Sequence, residues 1–316
     1  MRMWLTGLAL ACALGGTGPA VAQDAPTQDE DRVEDIVVTA RRAGAPMWTI
    51  TRGDSTLIVV GAVEGLPRDL EWRPEALEAA ASRSRRILFP QEMRASAADI
   101  ARLIWRARTA VMLPGQETVA AHVSASDMAR LEPIMAAESP AWRRKKLLLL
   151  SFDLLEQAGY RQRNDLQVSD VVRRAGRRAG APIRPIGLLH GDDFVEMLIS
   201  SPQSQHRGCV EAAILAAEAG PDTNDVRADD WRHLRVAAVV ANPLERAIAR
   251  CWPYADPQVG IQIAAEWVAA IDQSLSEPGV TMAVAPLMML AQTGGVLDRL
   301  EAEGVDILGP DWKVVD

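Results

Sequence analysis

His190-Gly191-Asp192-Asp193, with Glu196 a turn further on, is the densest run of ligand-type side chains in this 316-residue sequence. An imidazole and several carboxylates so close together have the donors to hold a divalent ion or to move a proton. The run follows an expected strand ending at Leu189, a position where α/β folds often place a site. It also reads as a helix start. Asp193 as N-cap with Glu196 three residues on is a capping-box-like pattern, and Asp192 favours the same positive helix end. Two more acids follow expected strands: Glu64, three residues after Gly61, and Glu92, after Ile87-Leu88-Phe89. Met288 and Met289 offer soft thioethers that suit Cu(I) better than Mn or Zn, and adjacent methionines also simply fill cores. His122, His206 and His233 stand apart from one another and read as surface or satisfied residues. No Gly-x-Ser-x-Gly elbow, phosphate loop, Cys-x-x-Cys or Gly-rich dinucleotide turn is present.

The elements that must position these residues alternate between strand-like and helix-like segments. Trp48 to Thr51 and Thr56 to Val63 are β-branched strands joined by a Gly53-Asp54 turn. A helix over Arg73 to Ser84, with Pro74 suited to its first turn, leads to the short strand 87–89. Helices are expected over 97–109, 124–137 and 139–158, the last with Ser139 as N-cap, and again over Val168 to Arg178. A strand near Ile183 to Leu189 precedes an almost wholly helical stretch, 191–277, broken at Gly220-Pro221-Asp222 and at Pro253. Thr281 to Ala285 and Val305 to Leu308 are late strands, with a helix inside Gly295 to Gly304. Strands at both ends around a helical middle imply an α/β fold. Its split central sheet is formed by N- and C-terminal strands, and its middle is largely helical.

The amino terminus reads as a secretory signal. Arg2 is the positive region, Met3 to Leu14 the apolar run, and Ala20-Val21-Ala22 the cleavage site, with Gln23 first in the mature chain. A periplasmic or secreted protein is the expectation. Residues 23–45 are expected to form a disordered or extended lead-in. Within it, Val33 to Arg42 resembles the energy-coupling box of TonB-dependent receptors. The segment Glu34 to Arg42 could add a strand to a TonB-like partner, lie against this domain, or act as a spacer. The net charge of −8 argues against a nucleic-acid partner, which needs a basic stripe. No later apolar run is long enough to span a bilayer. Arg143-Arg144-Lys145-Lys146 before Leu147 to Leu150 reads as one helix with a solvated basic turn. Cys209 and Cys251 remain after the signal and could pair, closing a loop of about 43 residues worth on the order of 4 kcal/mol. Two buried thiols are the alternative. Trp105, Trp231 or Trp252 could form a binding face, although most of the nine tryptophans should fill the core.

The hairpin from Trp48 to Glu64 resembles the opening of the TraB/GumN family. This is a Tiki-like group of the erythromycin-esterase/ChaN-like superfamily that includes metal-dependent proteases. The resemblance extends over a domain at 46–312 and implies a metal-dependent, peptidase-like chemistry. In the family the hairpin ends in Gly-x-x-His, whose histidine is thought to hold a metal, and here that position is Glu64. The strand-end glutamate falls on Pro90, followed by Gln91 and Glu92. The central Gly-Leu-Glu is Gly187-Leu188-Leu189, and the Arg-Asn pair falls on Ile263-Ala264. The second Gly-x-x-His is Pro286-Leu287-Met288-Met289. Scaffold positions such as Trp267, Ile271, Glu277-Pro278-Gly279, Gly295, Asp298 and Gly304 match.

Because a hydrolytic metal needs about three N or O donors and an open position, these replacements imply a degenerate site with no cofactor. The protein would then be a non-catalytic binding or accessory protein, with Glu64, Glu92, His190, Asp192, Asp193 and Met289 about the old cleft. The alternative is a hydrolase that holds Mn, Co or Zn with a rearranged set of Glu64, Glu92, His190, Asp192 and Asp193.

Overall fold

The computed structural model describes residues 44–160, 167–251 and 257–313. Strand β1 (Met47–Arg52) folds back onto β2 (Ser55–Ala62) as an antiparallel hairpin with Trp48 opposite Val59. Gly53 sits in the turn at φ +57, a left-handed conformation that glycine adopts without Cβ strain. Helix α1 (Glu75–Arg83) leads to β3 (Arg86–Phe89), and a short strand β4 (Glu92–Arg94) follows. The helical middle then runs through α2 (Ala97–Trp105), α3 (Ala107–Val111), α4 (Ala125–Ile134), α5 (Leu147–Gln157) and α6 (Val168–Ala179). Strands β5 (Ile183–Pro185) and β6 (Leu188–His190) precede α7 (Gly191–Ser200), α8 (Arg207–Glu218) and α9 (Thr223–Arg232). Next come α10 (Val236–Ala241), α11 (Pro243–Cys251) and the long α12 (Pro257–Ser276). The chain closes with β7 (Gly279–Pro286), α13 (Leu287–Ala291), α14 (Val296–Ala302) and β8 (Asp306–Leu308).

The main sheet has the order β5-β3-β7-β2-β1-β8. Strands β5, β3, β7 and β2 are mutually parallel, while β1 is antiparallel to both β2 and β8. The sheet is therefore split in sequence: the late strand β7 sits between the early β2 and β3. The central five residues of β2 and of β7 are buried, as expected for parallel strands covered on both faces. Trp48, Trp231, Trp267 and Phe89 anchor this core. Trp48 donates its indole N–H to the Pro310 carbonyl at 2.9 Å, tying the hairpin to the chain's far end. The helical middle has a core of its own, built from Leu131, Trp142, Leu150, Leu154, Ile214 and Leu244 among others. A disulfide joins Cys209 on α8 to Cys251 on α11, beside buried Leu148, with Cα atoms 4.7 Å apart.

Several expected elements are shorter or divided. The helix expected over 97–109 breaks at Arg106, whose φ of −98° and ψ of 12° leave the helical region. The segment expected as one helix over 139–158 is a 3-10 turn, Pro140–Arg144, followed by extended Lys145 and then α5. The interruption is paid back in backbone bonds: Leu113 N–H donates to the Arg144 carbonyl at 2.7 Å and Lys146 N–H to Val111 at 2.9 Å. Lys146 is accordingly not a solvated turn residue. It is buried, and its ammonium donates to the carbonyls of Leu198 and Ile199, satisfying the end of α7. The strand expected over 183–189 divides into β5, on the main sheet, and β6, which pairs with β4 in a separate two-stranded ribbon. Strand β4 was not expected from the sequence. Ala45, expected in the lead-in, is fully buried in the main core. The remaining lead-in, Glu34 to Arg42, and the cleavage site after Ala22 lie outside the described residues. None of the described helices is long and apolar enough to cross a membrane.

Candidate functional site

The carboxyl ends of β2, β3, β5 and β7 lie along one edge of the sheet, where open α/β folds bind ligands. Glu64 stands two residues past the end of β2. The register that sets Ala62 opposite Pro286 brings the start of α13, with Met288 and Met289, alongside the turn that carries it. Beneath Glu64 lies a fully buried guanidinium. Arg227 of α9 donates Nη2 to the Glu64 carbonyl at 2.6 Å and to Asn224 Oδ1 at 2.7 Å, and Nη1 to Glu245 Oε2 at 2.7 Å. Asn224 in turn donates to the carbonyls of Gly65 and Gly159 at 2.8 and 2.9 Å. The buried Arg227–Glu245 pair thus fixes the backbone of the Glu64 turn to the helical middle. Arg227 Nε has no hydrogen-bond partner among the described residues.

The electrostatics follow from one cation shared by two acids. Burial raises the pKa of Glu245, against the pull of Arg227, and the nearby charge of Glu64 raises it further. Glu64 is likewise raised by desolvation, with Arg227 opposing. By surface area Glu64 is nonetheless exposed. The carboxyl is therefore crowded by protein on one side and open to solvent on the other. Tyr160 faces the same cluster. Its phenol is pushed up to about 12 by burial and by Glu64, with Arg227 working the other way. This wet acid, a half-buried phenol and a buried ion pair below can hold a polar ligand and donate or accept a proton at Glu64.

Further along the same edge, Gln91 and Gln262 both donate to the Glu266 carboxylate, at 2.8 and 2.9 Å. Gly187, two residues past β5, packs directly on that carboxylate, so a Cβ there would fall 2.1 Å from Glu266 Oε2. Glu266 therefore takes up the space at this end of the edge.

The other sequence candidates fall on the ribbon and its helix. Glu92 is exposed on β4, opposite Leu188. His190 and Asp192 line a shallow concavity of about 410 Å³ with Arg94, Ala95, Ser96 and Asp99. Helix α7 begins three residues earlier than the capping-box pattern implied. His190 is its N-cap, without a side-chain cap, and Asp192 and Asp193 occupy its first turn. Glu196 is committed to Arg102 at 2.6 Å and to Ser200. Met288 and Met289 pack against the main core. Of the tryptophans singled out, Trp231 is fully buried and donates to the Gly61 carbonyl at 3.1 Å. Trp105 is exposed, and Trp252 lies outside the described residues. His122 meets Glu117 at 3.0 Å, His233 meets Asp229, and His206 is buried.

Arg227, Glu245, Tyr160 and Glu266 were missed by sequence reasoning. One signal existed for the first: Asn224, Arg227, Ala228 and Trp231 form a helical stripe, and a charge on such a stripe is out of place unless paired. Among the described residues, no three or more His, Cys, Asp or Glu side chains are grouped so as to hold a metal ion. The donor set present does not fit a hydrolytic metal centre.

A second concavity, of about 480 Å³, opens between Leu234 to Ala238 and Gly309 to Lys313. Arg235 there is already paired with Asp229 and Asp230 at 2.6 Å, and hydrogen bonds from Arg232 and Arg235 hold Asp229 down to about 2, ionised and committed, whereas Glu64 is raised.

In comparisons with known proteins, the profile of the TraB/PrgY/gumN family matches residues 46–307. No curated protein and no solved structure matches the chain.

Proposed function

The chain belongs to the TraB/PrgY/gumN family, and from that premise we propose that it is a binding or accessory member, secreted or periplasmic, that works without a catalytic metal. Its ligand would bind at the carboxyl edge of the sheet, beside the β2 end and α9. The observation that carries this reading is the environment of Glu64. The residue at the position where the family resemblance implies a metal-holding histidine has as its nearest charged neighbours a buried arginine and that arginine's own counter-ion. A cation there would face Arg227 at close range, and the neighbouring family positions on α13 carry thioethers rather than imidazoles. His190 and Asp192, the other candidate donors, lie on the ribbon side in a concavity that Arg94 also lines.

The test is the metal content of the purified mature protein, measured by mass spectrometry alongside its first residue. The expected result is a chain starting at Gln23 with substoichiometric Mn, Co and Zn. About one tightly held ion per chain, lost in Glu64→Ala, would replace this proposal with a metal-dependent hydrolase that uses a rearranged acidic set.

A further inference from the structure

Helix α2 turns its polar side toward α7. Arg102 reaches α7 through Glu196, Asp99 closes a capping box with Ser96, and Leu103 is only partly covered. No residue of this helix is buried. At about 100° per residue, Ile100, Ala101, Ile104 and Trp105 share the opposite stripe. That stripe faces solvent: Ile100 is 53% exposed, Ile104 72% and Trp105 88%. Soluble surfaces carry isolated apolar residues without consequence, but a helix whose whole apolar face points outward marks a contact.

The charges around it are arranged end to end. Glu92, Asp99, Asp192 and Asp193 gather at the amino-terminal end of α2 and at the start of α7, around Arg94 and His190. The carboxyl-terminal end reads Ile104-Trp105-Arg106-Ala107-Arg108 and has no acid of its own. Arg106 and Arg108 are exposed there, and Arg108 has no ion pair among the described residues. The carboxylate that Arg106 acts on, Glu196, already holds Arg102.

We propose that this end of α2 docks on an anionic phospholipid surface. Ile104 and Trp105 enter the boundary between headgroups and acyl chains, and Arg106 and Arg108 meet lipid phosphates. A second copy of the chain fits the patch less well. A parallel isologous contact would set the Arg106 and Arg108 of both copies against each other, and an antiparallel one would match them to the acidic end but slide Ile104 and Trp105 away from their own counterparts. The face is also a convex helix rather than a groove, and a bilayer needs no shape complementarity. Since the chain as a whole carries −8, attraction to an anionic surface would have to come from this local patch.

The experiment is co-sedimentation of the full chain with vesicles of phosphatidylcholine alone and of equal phosphatidylcholine and phosphatidylglycerol. The chain should partition into the anionic vesicles and lose that partitioning at high salt. Ile104→Asp with Trp105→Asp should reduce binding to the phosphatidylcholine level, and Arg106→Gln or Arg108→Gln should each weaken it about fivefold. Ile261→Asp, an equally exposed position on α12, should change nothing. Should the double aspartate variant lose its thermal transition, the two arginine variants carry the test alone. Failure of the wild type to sediment, or wild-type sedimentation of the arginine variants, overturns the proposal. So does a wild-type dimer in sedimentation velocity that the aspartate pair abolishes while vesicle binding is absent, which would assign the face to a second copy.

Discussion

Removing Arg227 alone would strand Glu245, an acid that is almost wholly buried and whose only ion-pair partner among the described residues is that arginine. Breaking one side of a buried pair costs about 3–5 kcal/mol, whereas replacing both with apolar groups is often neutral. Arg227→Met is therefore expected to destabilise the chain by about that much in urea. Arg227→Met with Glu245→Leu should recover most of the loss, less the bonds Arg227 gives to the Glu64 carbonyl and Asn224. Equal destabilisation by the single and double changes would mean that the pair does not act as a unit. Glu64 adds a pH signature. Its pKa is raised in the fold, so it binds its proton more tightly folded than unfolded, and the stability this supplies is present below the ordinary glutamate range. That contribution is lost as pH rises through the raised value. Glu64→Gln should consequently gain in melting temperature relative to wild type as pH rises above the ordinary glutamate range. A relative loss over that rise would contradict the raised pKa of this carboxyl. Of these residues the sequence exposed only Glu64, because Arg227 and Glu245 lie in separate helices and acquire their meaning from each other.

At the level of elements, the helical middle is fastened by contacts that run between helices distant in sequence. The disulfide ties α8 to α11 across 42 positions and sits in a small apolar cluster with Leu148. In the chain-entropy picture it restrains the unfolded chain by about 4 kcal/mol. Cys209→Ala with Cys251→Ala should lower stability by about 2–5 kcal/mol, and wild type under reducing conditions should match that variant in thermal melts. A reduced wild type as stable as the oxidised one would show that packing of α8 on α11 suffices by itself. The pairing was open to sequence reasoning because two cysteines remained in helix-like segments. The break at Arg106 and the extended Lys145 were not. Both depend on backbone pairing of Met112 with Lys145, and helix periodicity says nothing about that bridge.

Across the whole molecule, the α/β class and the split sheet follow from the sequence. Period-2 runs of β-branched residues at both ends mark strands that can bury only in a shared sheet, and the apolar helices between them must cover it. The hairpin, the late strands and the family membership were legible for the same reason: local spacing records which backbone must be extended and which helical. What only the tertiary structure decided is which side chains meet. Residues 64, 160, 227 and 245 converge because β2, the end of α5, α9 and α11 are folded onto one another, not because of any spacing along the chain. The division of 183–190 between two sheets, the burial of Lys146 and Trp231, and the outward apolar face of α2 have the same origin. Burial, and with it the cost of a charge or the meaning of an exposed tryptophan, is a property of the space around a residue, and sequence order does not encode that space locally.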